Sequence, residues 1–281
     1  MSVCYRHPSN EAYVRCQRCE RFICPQCQVE APVGFLCPED AGRTASAVAS
    51  GVANSAASSA RTAGRRLARS SAPVTWVLII INAVVWGLQL VVPDFTSLLY
   101  FWPTATLVEP WRMLTSGFAH DESNPFHILL NMYSLFILGS ALEPMLGKAR
   151  YLALYLLSLL AGSLGFLSFA ALNTTVLGAS GAIFGLMGAY FVILRAVGAQ
   201  LGQIGSIIAM NLIFGFMIPG VAWEAHLGGL VGGAVVALIY SRTRGAKQRG
   251  LQSALLVGLF AVIFIASYVV ADQRWHALIY G

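Results

Sequence analysis

Charge is scarce in this sequence. Only 11% of its 281 residues are Asp, Glu, Lys or Arg, while 57% are hydrophobic, a balance that excludes an ordinary soluble domain and indicates a polytopic membrane protein. Cysteine is absent beyond residue 37, so thiol chemistry is confined to the N-terminal segment. No acidic residue falls between Asp40 and Asp94. Residues 41–73 are instead rich in Ala, Ser, Gly and Arg, a composition that suits a linker. As a flexible coil its ends would lie about 30 Å apart; an interfacial helix around Arg61–Arg69 is the competing reading. No long apolar run precedes residue 74, which predicts no cleavable signal peptide and an N-terminus that stays in the cytoplasm.

Seven apolar runs follow, at about 74–92, 126–143, 151–172, 179–197, 204–218, 225–240 and 251–271. Each is long enough, or nearly so, to cross a bilayer core. The fifth is the shortest, and with Asn211 inside it and Pro219-Gly220 behind it predicts a tilted or laterally mobile helix. Basic residues fall on one side: Arg61, Arg65, Arg66 and Arg69 before the first run, Lys148 and Arg150 after the second, Arg195 after the fourth, and Arg242, Arg244, Lys247 and Arg249 after the sixth. The opposite loops carry Asp94, Glu109, Asp121, Glu122 and Glu224, with Arg112 alone against them. The expected topology is a multi-pass cell-membrane protein with its N-terminus in the cytoplasm and its C-terminus outside. The net charge of +6 is this topological signal, so nucleic acid is not an expected partner.

Polar residues inside the apolar runs then stand out. Ser180 opens the fourth run between Gly178 and Gly181, and Gly181, Gly185 and Gly188 recur at helical spacing. This is either a packing seam of small residues or a serine exposed for chemistry. His226 opens the sixth run with Gly229 and Gly233 at i+3 and i+7, so a helix packed on that face would meet the imidazole. His127 and Asn131 stack one turn apart in the second run, too apolar a setting to hold them idly. The loop over about 93–125 is long enough to be functional. Its Trp111 and Arg112 are candidates to anchor it, the arginine through a carboxylate or backbone carbonyls, against the alternative of an aromatic belt. Glu143 lies sixteen residues beyond His127, about 24 Å along a helix, so it is expected to tie the inner turn before Gly147. His120 has no assigned role.

The six cysteines form Cys4-x2-His7, Cys16-x2-Cys19, Cys24-x2-Cys27 and Cys37-x2-Asp40. Pairs at this spacing, in a segment too short to fold on its own core, point to zinc and not to disulfides. The pattern resembles a B-box or treble-clef type finger with interleaved sites. That resemblance implies one complete site from Cys4, His7, Cys24 and Cys27, and a second in which Cys16, Cys19 and Cys37 share the metal with Asp40 or an outside ligand. The module, residues 1–40, would have a protein partner of its own.

Trp111-Arg112, His127-x-x-x-Asn131, Gly178-x-Ser180-Gly181 and Ala225-His226-x-x-Gly229-x-x-x-Gly233, in this order, resemble the rhomboid intramembrane serine proteases over residues 74–271. The resemblance implies an all-α six-helix core with one added C-terminal helix, ahead of a tail at 272–281. It makes Ser180 the nucleophile and His226 its general base. Stabilisation of the oxyanion would come from His127, Asn131 and the backbone at Gly178 to Ser180, with Gly181, Phe184, Gly229 and Gly233 packing at the site. Phe184 stands where many relatives carry tyrosine. Zinc would be structural and catalysis would need no cofactor. The substrates implied are single-pass membrane proteins, cut within the lipid bilayer near the outer end of their spans. A catalytically silent relative that binds membrane clients is the alternative, although such proteins generally lack the serine or the histidine. A transporter would need paired midplane charges or two similar halves, and neither is present. Ser180 lies fifteen residues before Arg195 and His226 sixteen before Arg242, about 22 and 24 Å along their helices, so both residues are expected at one level some 6–8 Å below the outer surface of a 30 Å core.

Overall fold

The structure, a computed structural model, describes residues 2–31, 33–42 and 70–280. It comprises two compact units, Met1–Arg69 and Ser70–Gly281. Most of the expected linker, residues 43–69, lies outside the described residues, and with it the choice between coil and interfacial helix.

In the first unit, β1 (Val14–Arg15) pairs antiparallel with β2 (Phe22–Ile23), and β3 (Val29–Glu30) with β4 (Phe35–Leu36). A turn of helix follows from residue 38. Two ribbons of two residues cannot hold themselves together. What is buried between them is chiefly sulfur: Cys4, Cys16, Cys24, Cys27 and Cys37, with Ala12 and Ile23. All six cysteines are free thiols.

Among the described residues the second unit has seven long helices, at the seven predicted runs. They are α1 (Pro73–Val91), α2 (Pro125–Leu146), α3 (Lys148–Phe169), α4 (Ser180–Ala196), α5 (Gly202–Met217), α6 (Trp223–Arg242) and α7 (Arg249–Tyr280). Among the described residues five of these, α1, α2, α3, α6 and α7, are long and apolar enough to cross a membrane, while α4 and α5 are shorter apolar helices. The centre belongs to α3: 61% of its apolar window is buried, against 17% for α7. Leu154, Tyr155, Ala182, Leu186 and Val236 join α3, α4 and α6 in one core. In α5 only Ile204 and Gly215 are buried, and Asn211 turns its amide back onto the Ile207 carbonyl.

Two expectations are corrected here. Glu143 does not tie the inner turn. Its buried carboxylate accepts hydrogen bonds from Val74 N, Thr75 N and Thr75 Oγ1, all at 2.8 Å. The reason lies in α1, which starts at Ala72-Pro73 without a capping side chain, so its first N–H groups need an acceptor from elsewhere. The tail predicted at 272–281 is helical through Tyr280. Arg274 binds it down, with Nη1 donating to Leu167 O and Nη2 to Ala170 O at 2.7 Å. Trp111 is 55% exposed. Arg112 is buried, pairs with Glu109 and donates to the carbonyls of Ser97 (2.7 Å) and Tyr100 (3.2 Å), which ties together the loop before α2. The aromatic face beneath its guanidinium is that of Trp102, 4.5 Å from the ring centroid.

Candidate functional site

Ser180 is the first residue of α4, and no side chain caps that helix end. The approach to it, residues 170–179, is irregular backbone, tolerable at membrane depth only where its groups are satisfied by protein. Val176 and Phe101 exchange both backbone hydrogen bonds, at 2.8 and 3.0 Å, and Gly178 N donates to Ser116 O at 2.9 Å. The loop between α1 and α2 thereby fixes the path into the serine.

His226 lies in the first turn of α6, and its Nε2 is 2.9 Å from Ser180 Oγ. Two bare backbones make that distance. A Cβ at Gly229 would lie 1.9 Å from Gly181 O, and one at Gly233 would lie 1.9 Å from Gly185 O, so α4 and α6 touch along the two predicted seams, which pack on each other. The imidazole is buried and stacks on Phe184, one turn after Ser180, with centroids 4.1 Å apart and planes 12° apart. Stacking sets the ring plane where no carboxylate is at hand, and Nδ1 has no partner among the described residues.

Gly178 has φ +122°, a conformation that favours glycine. A Cβ there would lie 2.8 Å from His127 Nε2 and 3.9 Å from Ser180 Oγ. The missing side chain thus leaves a small space bordered by the serine hydroxyl and the His127 ring. Asp121 N donates to His127 Nδ1 at 3.2 Å, which makes Nδ1 the acceptor and leaves Nε2 as the N–H donor toward that space. The turn that holds this amide is itself fixed: the Asp121 carboxylate accepts from Ser123 Oγ and N, at 2.7 and 2.9 Å, and the Ser123 hydroxyl bond keeps its pKa below the usual carboxylate range. Asn131 is buried, with Nδ2 donating to His127 O at 2.7 Å.

Several residues of this region have no counterpart among the predicted ones. His120 is fully buried beside His127, ring centroids 5.2 Å apart. Its backbone is held by Gln89 of α1, which accepts from His120 N and donates to His120 O. A glutamine inside the first apolar run was the signal available for this contact. Gly215 of α5 borders the His226 ring, since a Cβ there would lie 3.2 Å from His226 Nδ1.

In the first unit the eight predicted ligands form two clusters, Cys4, His7, Cys24, Cys27 and Cys16, Cys19, Cys37, Asp40, with the ligand atoms of each within 4.8 Å of one another. A zinc ion at about 2.3 Å from sulfur and 2.0–2.1 Å from nitrogen sets tetrahedral edges of about 3.8 Å for S···S and 3.5 Å for S···N. Cys19 Sγ lies 3.8 Å from Cys37 Sγ, and His7 Nδ1 lies 3.5 Å from Cys24 Sγ and 3.3 Å from Cys27 Sγ. Asp40 Oδ2 is 3.4 Å from Cys16 Sγ and 3.2 Å from Cys37 Sγ, so the second cluster is complete within the chain. Hydrogen bonds from Cys19 and Cys37 hold the Asp40 carboxyl ionised, down to a pKa of about 2. Both donor sets fit zinc.

Sequence comparisons place this geometry among known proteins. The Rhomboid domain profile matches residues 108–243, a segment that contains Ser180, His226, His127 and Asn131. The chain is 35% identical over 166 residues to "Rhomboid protease GluP" of Bacillus subtilis, covering 56% of this chain and 31% of that one. It is 35% identical over 136 residues to a second Bacillus subtilis protein of the same kind, YdcA, covering 47% of this chain and 67% of that one. It is 37% identical over 139 residues to "RHOMBOID-like protein 1" of Arabidopsis thaliana, covering 47% and 35%. The match thus spans about a third of the first and third of these relatives.

Proposed function

The chain belongs to the rhomboid family, and from that premise we propose that it is an intramembrane serine endopeptidase acting on the spans of single-pass membrane proteins. The observation that carries the reading is the 2.9 Å contact between Ser180 Oγ and His226 Nε2. A serine hydroxyl is a poor nucleophile until a neighbouring base takes its proton. His226 takes it as Oγ attacks the scissile carbonyl, then returns it to the leaving amine, and a water attacks the acyl-enzyme by the same route in reverse. The negative oxygen formed in each half-reaction enters the space beside Gly178, where His127 Nε2–H, the N–H groups at the uncapped start of α4 and the second N–H of Asn131 meet it. Stacking on Phe184 keeps the imidazole in plane while it is charged.

The proposed topology places the N-terminus in the cytoplasm and the dyad near the outer surface of the cell membrane. The first unit is proposed as a structural zinc module with two ions, whose ligands are the two clusters given above, and which takes a protein partner. Its metals supply no chemistry to the dyad.

The test is cleavage of a helical single-pass substrate in proteoliposomes by the wild-type chain and by Ser180→Ala. A fragment that needs Ser180 supports a protease; binding of the substrate without any fragment supports the silent, client-binding alternative.

A further inference from the structure

We propose that Arg274, at the outer end of α7, is a positioning residue for Ser180; this rests on the serine-protease reading above. The segment that delivers the nucleophile begins where α3 ends. At that point the last carbonyls of α3 have no further helix to accept from, and the guanidinium of Arg274 takes two of them, Leu167 O and Ala170 O. A cation there also complements the negative end of the helix dipole. The near end of residues 170–179 is thus held by α7, and the far end by Phe101 and Ser116 of the outer loop.

The apolar packing beneath Arg274 has the same connectivity. Ala271 and Val270 of α7 share one cluster with Phe101, Phe166 and Val176, and with Ala225, the neighbour of His226. Farther out, Leu278 lines a cavity of about 480 Å³ together with Tyr100, Trp102, Asn173 and Thr175, so the end of α7 borders both loops that meet at the site. At its other end α7 is also fixed to α3: Gln252 Oε1 accepts from Arg150 Nε at 2.8 Å, and Gln252 Nε2 donates to Thr243 Oγ1 at 2.7 Å. Held at both ends, α7 is a strut of set length along α3. The position of Arg274, and with it that of Ala170, cannot drift. A misplacement of about 1 Å at a nucleophile can cost about 10²-fold in rate, so loss of this clamp should be felt in turnover.

The experiment uses the full chain in liposomes, with a fluorophosphonate that labels a reactive serine stoichiometrically to count active sites, and a helical membrane substrate to measure kcat per labelled site and KM. Arg274→Ala should lower kcat per site by about tenfold or more and leave KM within about twofold, as expected when only transition-state alignment is lost. Arg274→Lys, which keeps the charge but not the fork, should lie between it and wild type, and His276→Ala, an exposed position on the same helix outside the clamp, should leave kcat per site unchanged. A purely structural role would lower the labelled fraction and leave kcat per labelled site alone, which would overturn the proposal. Should Arg274→Ala not fold, the order Arg, Lys, Gln in kcat per site at residue 274 carries the same test, and equal values overturn it. Wild-type protein that neither labels nor cleaves refutes the protease reading itself.

Discussion

Gly229 stands so close to Gly181 that a single added carbon would sit 1.9 Å from the Gly181 carbonyl oxygen. The distance between Ser180 and His226 is therefore set by backbone contact between α4 and α6 and not by the length of a side chain. Gly229→Ala must push the helices apart, because the atom it meets is main chain and cannot rotate away. We expect a loss of roughly 1–3 kcal/mol in stability from overpacking, and at least about 10²-fold in kcat from the displaced dyad. Thermal unfolding and cleavage kinetics on the same preparation check both; a Gly229→Ala enzyme with wild-type kcat would contradict the contact.

Ser180→Ala and His226→Ala should each lower kcat by about 10⁶-fold in a folded protein, since dyad members act as a unit. Asn131→Ala should cost less, about 10²-fold, because other donors remain in the hole. Cleavage rates on purified variants with matching unfolding midpoints decide this, and near wild-type turnover in Ser180→Ala would remove the assignment.

Gly178→Ala places a methyl 2.8 Å from His127 Nε2, at a φ of +122°. It fills the proposed oxyanion space and strains the backbone at once. We expect kcat to fall by about 10²–10³-fold, the range for losing an oxyanion donor, while the serine still binds a non-covalent ligand. An unaltered kcat would show that the space is not where the oxyanion lies.

For the first unit, metal analysis of the full chain should find two zinc ions, falling to one in Asp40→Ala. Chelation should open residues 2–42 to protease, since ligand binding supplies most of the folding free energy of so small a core. Cleavage by the membrane unit should survive that treatment. A protease-resistant first unit after full removal of zinc would refute the metal as its organiser.

Depth gives a further expectation. With Ser180 at the head of a 17-residue helix that is about 25 Å long, the cut should fall in the outer third of a substrate's span, where Gly or Pro loosens the helix. Mass-spectrometric mapping on substrates with glycines moved stepwise inward reads this directly; a cut that follows them to the midplane would contradict it.

How much of this was legible in the sequence follows from what kind of signal each residue leaves. Ser180, His226, His127 and Asn131 were visible because polar side chains stand out in apolar runs, and the eight metal ligands because their spacing repeats. The partnership of the two glycine seams was half legible: each seam shows in its own run, but their contact does not. Glu143 was misjudged because counting along its own helix gives no hint that another helix lacks a cap. Arg274 was hidden in a segment that looked like a polar tail, since the carbonyls it satisfies lie more than a hundred residues earlier. Trp102 and Trp111 differ in role only through the loop's fold, which places one under Arg112 and leaves the other exposed.

The bond between Glu143 and the start of α1 also couples two helices. Two amide donors and a threonine hydroxyl at the N-terminal end of α1 find no acceptor in their own helix, and the group that meets them comes 68 or 69 residues later, at the close of α2. The end of α2 therefore sets where α1 begins, and the two helices share one register.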